Sequence, residues 1–181
     1  MAYTSITVSG PIASGTSTAA KALADKLNLK YISAGDFFRQ YATDHNIPLY
    51  NKSKIPDNLD EEVDAELTEL ANNGRYVIDA HYIGYFTKDS KQVLKVLLTC
   101  DYEIRISRAL ARTHTHVETE EEINLREQGL DAKFRKLYAD ENFLDPKFFG
   151  LIIDTTYMAS KIVVEHIIKE FKKWKKVQKL K

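Results

Sequence analysis

A single cysteine, Cys100, in 181 residues leaves no partner for an intramolecular disulfide and too few thiolates for a cysteine-based zinc cluster. It suits a reducing compartment, and the expected location is the cytoplasm. The sequence also lacks a net charge, since 26 Lys and Arg balance 26 Asp and Glu. No overall field draws such a chain to nucleic acid or to a membrane, and neither is expected as a partner. No apolar run approaches the ~20 residues that a membrane-spanning helix needs. The N-terminus has neither the basic nor the apolar region of a signal peptide. Repeats, low-complexity stretches and linkers are missing as well, so residues 1–181 are expected to form one domain.

What is present is an ordinary globular mixture, 44% apolar and 29% charged, in a chain long enough to bury a sizeable core. The charge is unevenly spread. Lys169 to Lys181 contain seven Lys and one Glu, which leaves the other 168 residues with 19 positive against 25 negative side chains. Phe171, Trp174, Val177 and Leu180 recur every three residues, as in a final helix that packs one face and solvates the other. Lys there complements the helix C-terminus; a tail that binds nucleic acid or anionic lipid is the alternative.

Five short β-rich runs alternate with helical sequence: Ser5–Ser9, Lys30–Ser33, Arg75–Asp79, Val93–Leu98 and Gly150–Asp154. Helical patterns begin after Gly15 and at Asp36, and a third starts near Asn58 and stops at Asn72-Asn73-Gly74. Further helices run from Tyr102 to Arg112, from Thr119 to Tyr138 and from about Ser160. Asn58 with Glu61, and Thr119 with Glu122, have capping-box spacing. Residues 44–57, with Pro48 and Pro56, read as a loop. Five apolar strands separated by helices call for an α/β fold, a five-stranded parallel sheet covered by helices on both faces.

Gly10-Pro11-Ile12-Ala13-Ser14-Gly15-Thr16-Ser17 lies between the first strand and the first helix. Glycines there let the backbone approach phosphates, and amides at the helix start donate to them. The spacing matches G-x-x-x-x-G-K-[ST] except that Thr16 replaces Lys, and Ser17 takes the position whose hydroxyl reaches magnesium. The missing Lys leaves a positive charge to be supplied from elsewhere, or else a loop that binds nucleotide with little catalysis. Arg105, Arg108 and Arg112 share one helix face, and Arg126 and Arg135 follow, with Lys133 between them. A solvated basic face paired with Glu118 and Glu120–Glu122 is the alternative for any one of them. His114 and His116 have no third partner at metal-site spacing and read as a polar tip.

Ser33-Ala34-Gly35-Asp36-Phe37-Phe38-Arg39 completes the pattern. With the phosphate loop it resembles the nucleoside monophosphate kinase family, whose Ser-x-Gly-x-x-x-Arg run holds the acceptor phosphate through the Arg. Within that family the chain is most similar to archaeal-type cytidylate kinases, from Ile6 to about Ile168. Several of those enzymes carry Gly-Thr-[Ser/Thr] in the same loop. The resemblance implies a P-loop NTPase three-layer sandwich with helical acceptor-binding (about 36–73) and lid (about 113–135) segments.

It further implies ATP-dependent, Mg2+-assisted phosphorylation of a nucleoside monophosphate, CMP or dCMP. The partners are then small nucleotides, and the protein a monomer or homodimer. Gly10 and Ala13 to Thr18 would hold ATP, with Ser14, Gly15 and Thr16 among them and Ser17 on the metal. Ser33, Gly35, Asp36, Arg39, Asp79, His81 and Asp131 would hold the acceptor. Arg108, Arg112, Arg126 and Arg135 would close over the transferring group, with Lys133 and Arg135 rivals for one role. Asp154-Thr155-Thr156 resembles the family's segment beside the donor nucleotide. His81 stands where the family has Arg, losing a permanent charge and a bidentate fork. A kinase for UMP or AMP, or a nucleotide-binding protein without turnover, are the alternatives.

Overall fold

The computed structural model describes residues 3–111 and 117–177, with side chains to Lys173. Its sheet has five parallel strands: β1 (Ser5–Ser9), β2 (Lys30–Ser33), β3 (Tyr76–Asp79), β4 (Val93–Thr99) and β5 (Leu151–Asp154). They lie in the order β2-β3-β1-β4-β5, with Val8 opposite Asp79 on one side and Val96 on the other. All five residues of β1 are buried, as a central parallel strand requires. The winding changes direction about β1, which opens a crevice beyond the carboxyl ends of the strands, where ligands of such sheets bind.

Alternation along each strand supplies both faces. Val77 packs with Ile6, Val8, Leu94 and Val96 under helices α1 (Thr16–Leu27) and α7 (Ser160–Val177). Its neighbour Ile78 faces the other way, toward Leu67 and Ala71 of α3 (Asp57–Asn73) and Ile83 of α4 (Ile83–Phe86). Helix α2 (Ala34–Asp44) begins at the end of β2, where the Ser33 hydroxyl accepts the Asp36 amide at 3.1 Å. Helices α5 (Tyr102–Leu110) and α6 (Glu120–Leu137) cover the phosphate-loop side of the sheet through Ile106, Ala109 and Ile123 packed on Ile12.

Thr119 forms the expected capping box, its hydroxyl accepting the Glu122 amide while Glu122 accepts the Thr119 amide. The one expected at Asn58 does not form. Helix α3 starts one residue earlier behind Pro56, so Asn58 lies inside the first turn and reaches Glu62 instead. Helix α4 is unexpected from the sequence. One turn is too short for periodicity to register, and packing holds it: a Cβ on Gly84 would lie 2.2 Å from the Phe149 ring.

Two physical effects oppose each other at that glycine. Helix propensity alone makes Gly84→Ala stabilising by about 1 kcal/mol, whereas overpacking costs about 1–3 kcal/mol. The contact distance decides for overpacking, and the urea midpoint of Gly84→Ala is expected to fall; a rise would show that Phe149 yields freely.

Candidate active site

The loop after β1 turns on two left-handed residues, Ala13 (φ 65) and Gly15 (φ 97). For Ala this conformation costs about 1 kcal/mol or more, and the alternation turns successive amides to one side, toward an anion. At Gly10 a side chain is impossible: a Cβ would lie 2.5 Å from the Leu98 carbonyl oxygen. The outer turn is held by a buried guanidinium. Arg105 donates to the Ile12 carbonyl at 2.8 Å and to Glu127 of α6 at 2.7 Å, and Glu127 accepts the Ile12 amide at 2.9 Å. Arg105 therefore shapes the loop and has no charge to spare for a ligand.

Asp79, expected on the acceptor side, instead faces the loop. Ser17 Oγ donates to its Oδ2 at 2.5 Å, and the Thr16 hydroxyl bonds it as well. Burial pushes the Asp79 carboxyl upward despite those donors. A hydroxyl and a buried carboxylate at the start of a phosphate-loop helix are hard oxygen donors, a set that fits a divalent cation such as Mg2+. No cluster of three or more His, Cys, Asp or Glu able to hold a metal by itself occurs among the described residues.

His81 is half-buried, and its Nδ1 lies 3.1 Å from the Gly10 carbonyl. A carbonyl accepts only, so Nδ1 carries the proton. Burial and the nearby Arg126 push the ring's pKa down to about 4, leaving it neutral near pH 7. Its single N–H is then used on Gly10, and Nε2 has only a lone pair, unsuited to an acceptor phosphate. The imidazole positions the phosphate loop and takes over neither the charge nor the fork of an arginine.

Arg108 stands on the donor side. It donates to the carbonyls of Thr155 (2.7 Å) and Thr156 (3.0 Å), and Thr155 Oγ1 donates to the Ser14 carbonyl at 2.8 Å. With Gly15, Thr18 and Met158 it lines a cavity over α1. On the acceptor side, Gly35, Arg39, His81 and Arg126 line both the cavity over the phosphate loop and a second one that continues away from it. Arg39 pairs with Asp36, and Arg126 with Glu118 at 2.9 Å. These two guanidiniums supply positive charge at the loop that lacks its Lys.

Beyond that junction lie Phe38, Lys52, Ile55, Asp64 and Leu130. Asp60, almost fully buried, accepts from Lys52 at 2.6 Å and forms an ion pair with Lys133 of α6 at 2.5 Å. Tyr138 donates to Asp64 Oδ2 at 2.9 Å. Burial pushes the Asp64 carboxyl up to about 7. Residues 52–64 were legible only as loop and solvated helix, because a charge run gives no sign of burial. The Lys at 52 and 133 and the Asp at 60 and 64 have no motif to announce them.

Some expected ligands lie elsewhere. Arg135 is exposed and bound to Asp131 and Asp140, so neither it nor Asp131 lines these cavities. Lys133 turns inward to Asp60 and the Ile55 carbonyl and lines none of these cavities. The Ser33 hydroxyl is engaged on the Asp36 amide. Arg112, His114 and His116 fall outside the described residues.

The depressed His81 pKa makes stability depend on pH with a definite sign. Its folded value lies below the unfolded one near 6.5, so its contribution is complete above 6.5 and is lost as pH falls toward 4. Asp64, raised from 3.8 to about 7, works the opposite way and loses stability as pH rises through that range. His81→Asn keeps a donor for Gly10 and removes only the first effect. On going from pH 7 to pH 5 the urea-unfolding free energy is expected to change more favourably in the variant than in the wild type, by about 1–2 kcal/mol, allowing for partial exposure. An unchanged pH slope would mean that the ring is protonated as readily folded as unfolded.

The family model described as AAA domain matches residues 6–129. The cytidylate kinase of Ignicoccus hospitalis is 36% identical, with 91% of this chain and 96% of that protein covered. The cytidylate kinase of Archaeoglobus fulgidus is 35% identical, covering 96% and 99% of the two. Among solved structures, a gluconokinase from Sinorhizobium meliloti superposes with a TM-score of 0.66 at 15% identity, covering 98% of both chains. A shikimate kinase from Acinetobacter baumannii gives 0.60 at 15% identity, covering 92% of each. At such identities the structural likenesses establish the fold alone, a P-loop kinase sandwich. The sequence relatives span nearly the full length of both partners, and by them the chain belongs to the cytidylate kinase family of nucleoside monophosphate kinases.

Proposed function

We propose that the protein transfers the γ-phosphoryl group of ATP to CMP or dCMP, giving ADP and the nucleoside diphosphate. The observation that carries this reading is the pair of cavities meeting at Gly35, Arg39, His81 and Arg126, one floored by the phosphate loop and the other leading to a partly apolar pocket. Two anions brought together at that junction repel, and the cations of Arg39 and Arg126 offset the repulsion.

The amides from Ala13 to Ser17 hold the donor phosphates. An acceptor phosphate oxygen attacks the γ-phosphorus, and the bond to the β-phosphate oxygen breaks as the new bond forms. No covalent enzyme intermediate arises, so the protein's work is positioning, charge neutralisation and exclusion of water. Ser17 and Asp79 would hold Mg2+, which would supply charge neutralisation to the donor phosphates. Arg108, fixed by the Thr155 and Thr156 carbonyls, walls the donor side, and closure of segments 36–73 and 117–135 would shield the junction.

The test is ADP release from Mg-ATP against CMP, dCMP, UMP, AMP and GMP. Turnover confined to CMP and dCMP is expected; preference for another acceptor, or ATP binding without turnover, would overturn the proposal. Arg39→Ala is expected to lower kcat/KM for CMP roughly 30- to 1,000-fold, about 2–4 kcal/mol of transition-state binding. Ser17→Ala is expected to raise the Mg2+ concentration for half-maximal rate at fixed ATP; an unmoved Mg2+ titration would remove Ser17 from the metal.

A further inference from the structure

The acceptor cavity is polar at both ends for different reasons. The junction end is cationic and suits phosphate. The far end is lined by both a carboxylate and an ammonium, Asp64 and Lys52, together with the Phe38 ring. Such a pair is costly to bury and adds nothing to phosphate binding, where Asp64 is repulsive. Its two oxygens differ. Oδ2 accepts from Tyr138, and Oδ1 has no hydrogen-bond partner among the described residues, although Asp64 is only 6% exposed and lines the cavity. Lys52 Nζ gives one donor to Asp60 and lies 3.5 Å from the centroid of Phe38, which leaves it further donors in the cavity that Asp64 also lines.

We propose that Asp64 Oδ1 reads the base of the acceptor, accepting from the exocyclic amino group of cytosine while Lys52 donates to the ring acceptors next to it. The inference rests on the reading of this cavity as the acceptor nucleotide site and deepens it. Cytosine presents an amino donor where uracil presents a carbonyl oxygen, so one carboxylate oxygen attracts the first and repels the second. A site that leaves buried polar groups unpaired with the wrong ligand discriminates strongly. Adenine offers a similar edge on a larger ring, so cytosine against uracil is the contrast that isolates Asp64.

The geometry also settles what a substitution does. Tyr138 donates toward the Oδ2 position, so the amide of Asp64→Asn turns its oxygen there and its NH2 into the cavity. The acceptor becomes a donor, which suits uracil O4 and no longer suits the cytosine amino group. Asp64 also feels Lys52 from the short 3-10 turn Lys52–Lys54, Asp60 from its own helix and Tyr138 from the end of α6, so the test fixes pH at 8 to keep the wild-type carboxylate ionised.

The experiment measures kcat/KM for CMP and UMP with the wild type and Asp64→Asn. The ratio of CMP to UMP is expected to fall at least tenfold in the variant, through loss on CMP and gain on UMP, with KM for ATP unchanged. A second arm changes the acceptor. N4,N4-dimethyl-CMP, which has no amino donor, is expected to be at least tenfold poorer than CMP with the wild type and about equal to it with Asp64→Asn. CMP turnover whose preference over UMP is unmoved by Asp64→Asn would overturn this inference and leave the cytidylate kinase reading standing. Absence of CMP turnover and CMP binding in the wild type would overturn both.

Discussion

One buried carboxylate holds the acceptor side together. Asp60 of α3 takes Lys52 from the preceding turn on one oxygen and Lys133 from α6 on the other. Removing one partner from such a group strands a buried charge and costs about 3–5 kcal/mol, although the intact cluster contributes far less than that sum suggests. Its consequence is geometric. With Lys133 anchored, α6 lies across the acceptor pocket, and residues on its preceding turns arrive in place: Leu130 on the pocket, Glu127 on the phosphate loop, Arg126 at the junction. Tyr138 and the ring cluster of Tyr82, Phe134 and Phe143 fasten its other end. Phosphate loop and acceptor pocket are thus coupled through one helix.

The loop's missing lysine is answered within the same frame. Thr16 cannot bring charge, and its hydroxyl joins Ser17 on Asp79. Positive charge instead approaches from outside the loop, on Arg39 and Arg126, each paired with a carboxylate. A guanidinium is permanently charged and presents several donors in a plane, which suits these two to the anionic groups that the proposed reaction brings to the junction. Other cations that look equivalent in the sequence have other duties. Arg105 braces the Ile12 turn, and Arg108 joins α5 to the residues after β5.

Much of the fold was legible in the sequence. Apolar runs of four to seven residues bounded by turns mark all five strands, and helical sequence between them requires parallel pairing. The departures are local. Asn58 has capping-box spacing, but Pro56, lacking an N–H, starts the helix ahead of it. Helix α4 is a single turn, held by contacts with Phe149 that periodicity cannot register. The resemblance placed Arg39 and the phosphate loop. It gave no sign of Lys52, Asp60 or Asp64, because identical charged residues on a solvated helix have the same spacing.

The sequence alone therefore determined the class of fold, the order of strands and helices, the phosphate loop and the family to which the chain belongs. These follow from local propensities and from motifs contiguous in the chain. Tertiary structure decided which charges are buried, that Asp79 serves Ser17, that His81 is spent on Gly10, and that Lys133 faces inward while Arg135 faces solvent. Those outcomes depend on desolvation and on partners tens of residues away in the chain, as with Lys133 and Asp60, and neither quantity is written in the spacing of side chains along a helix.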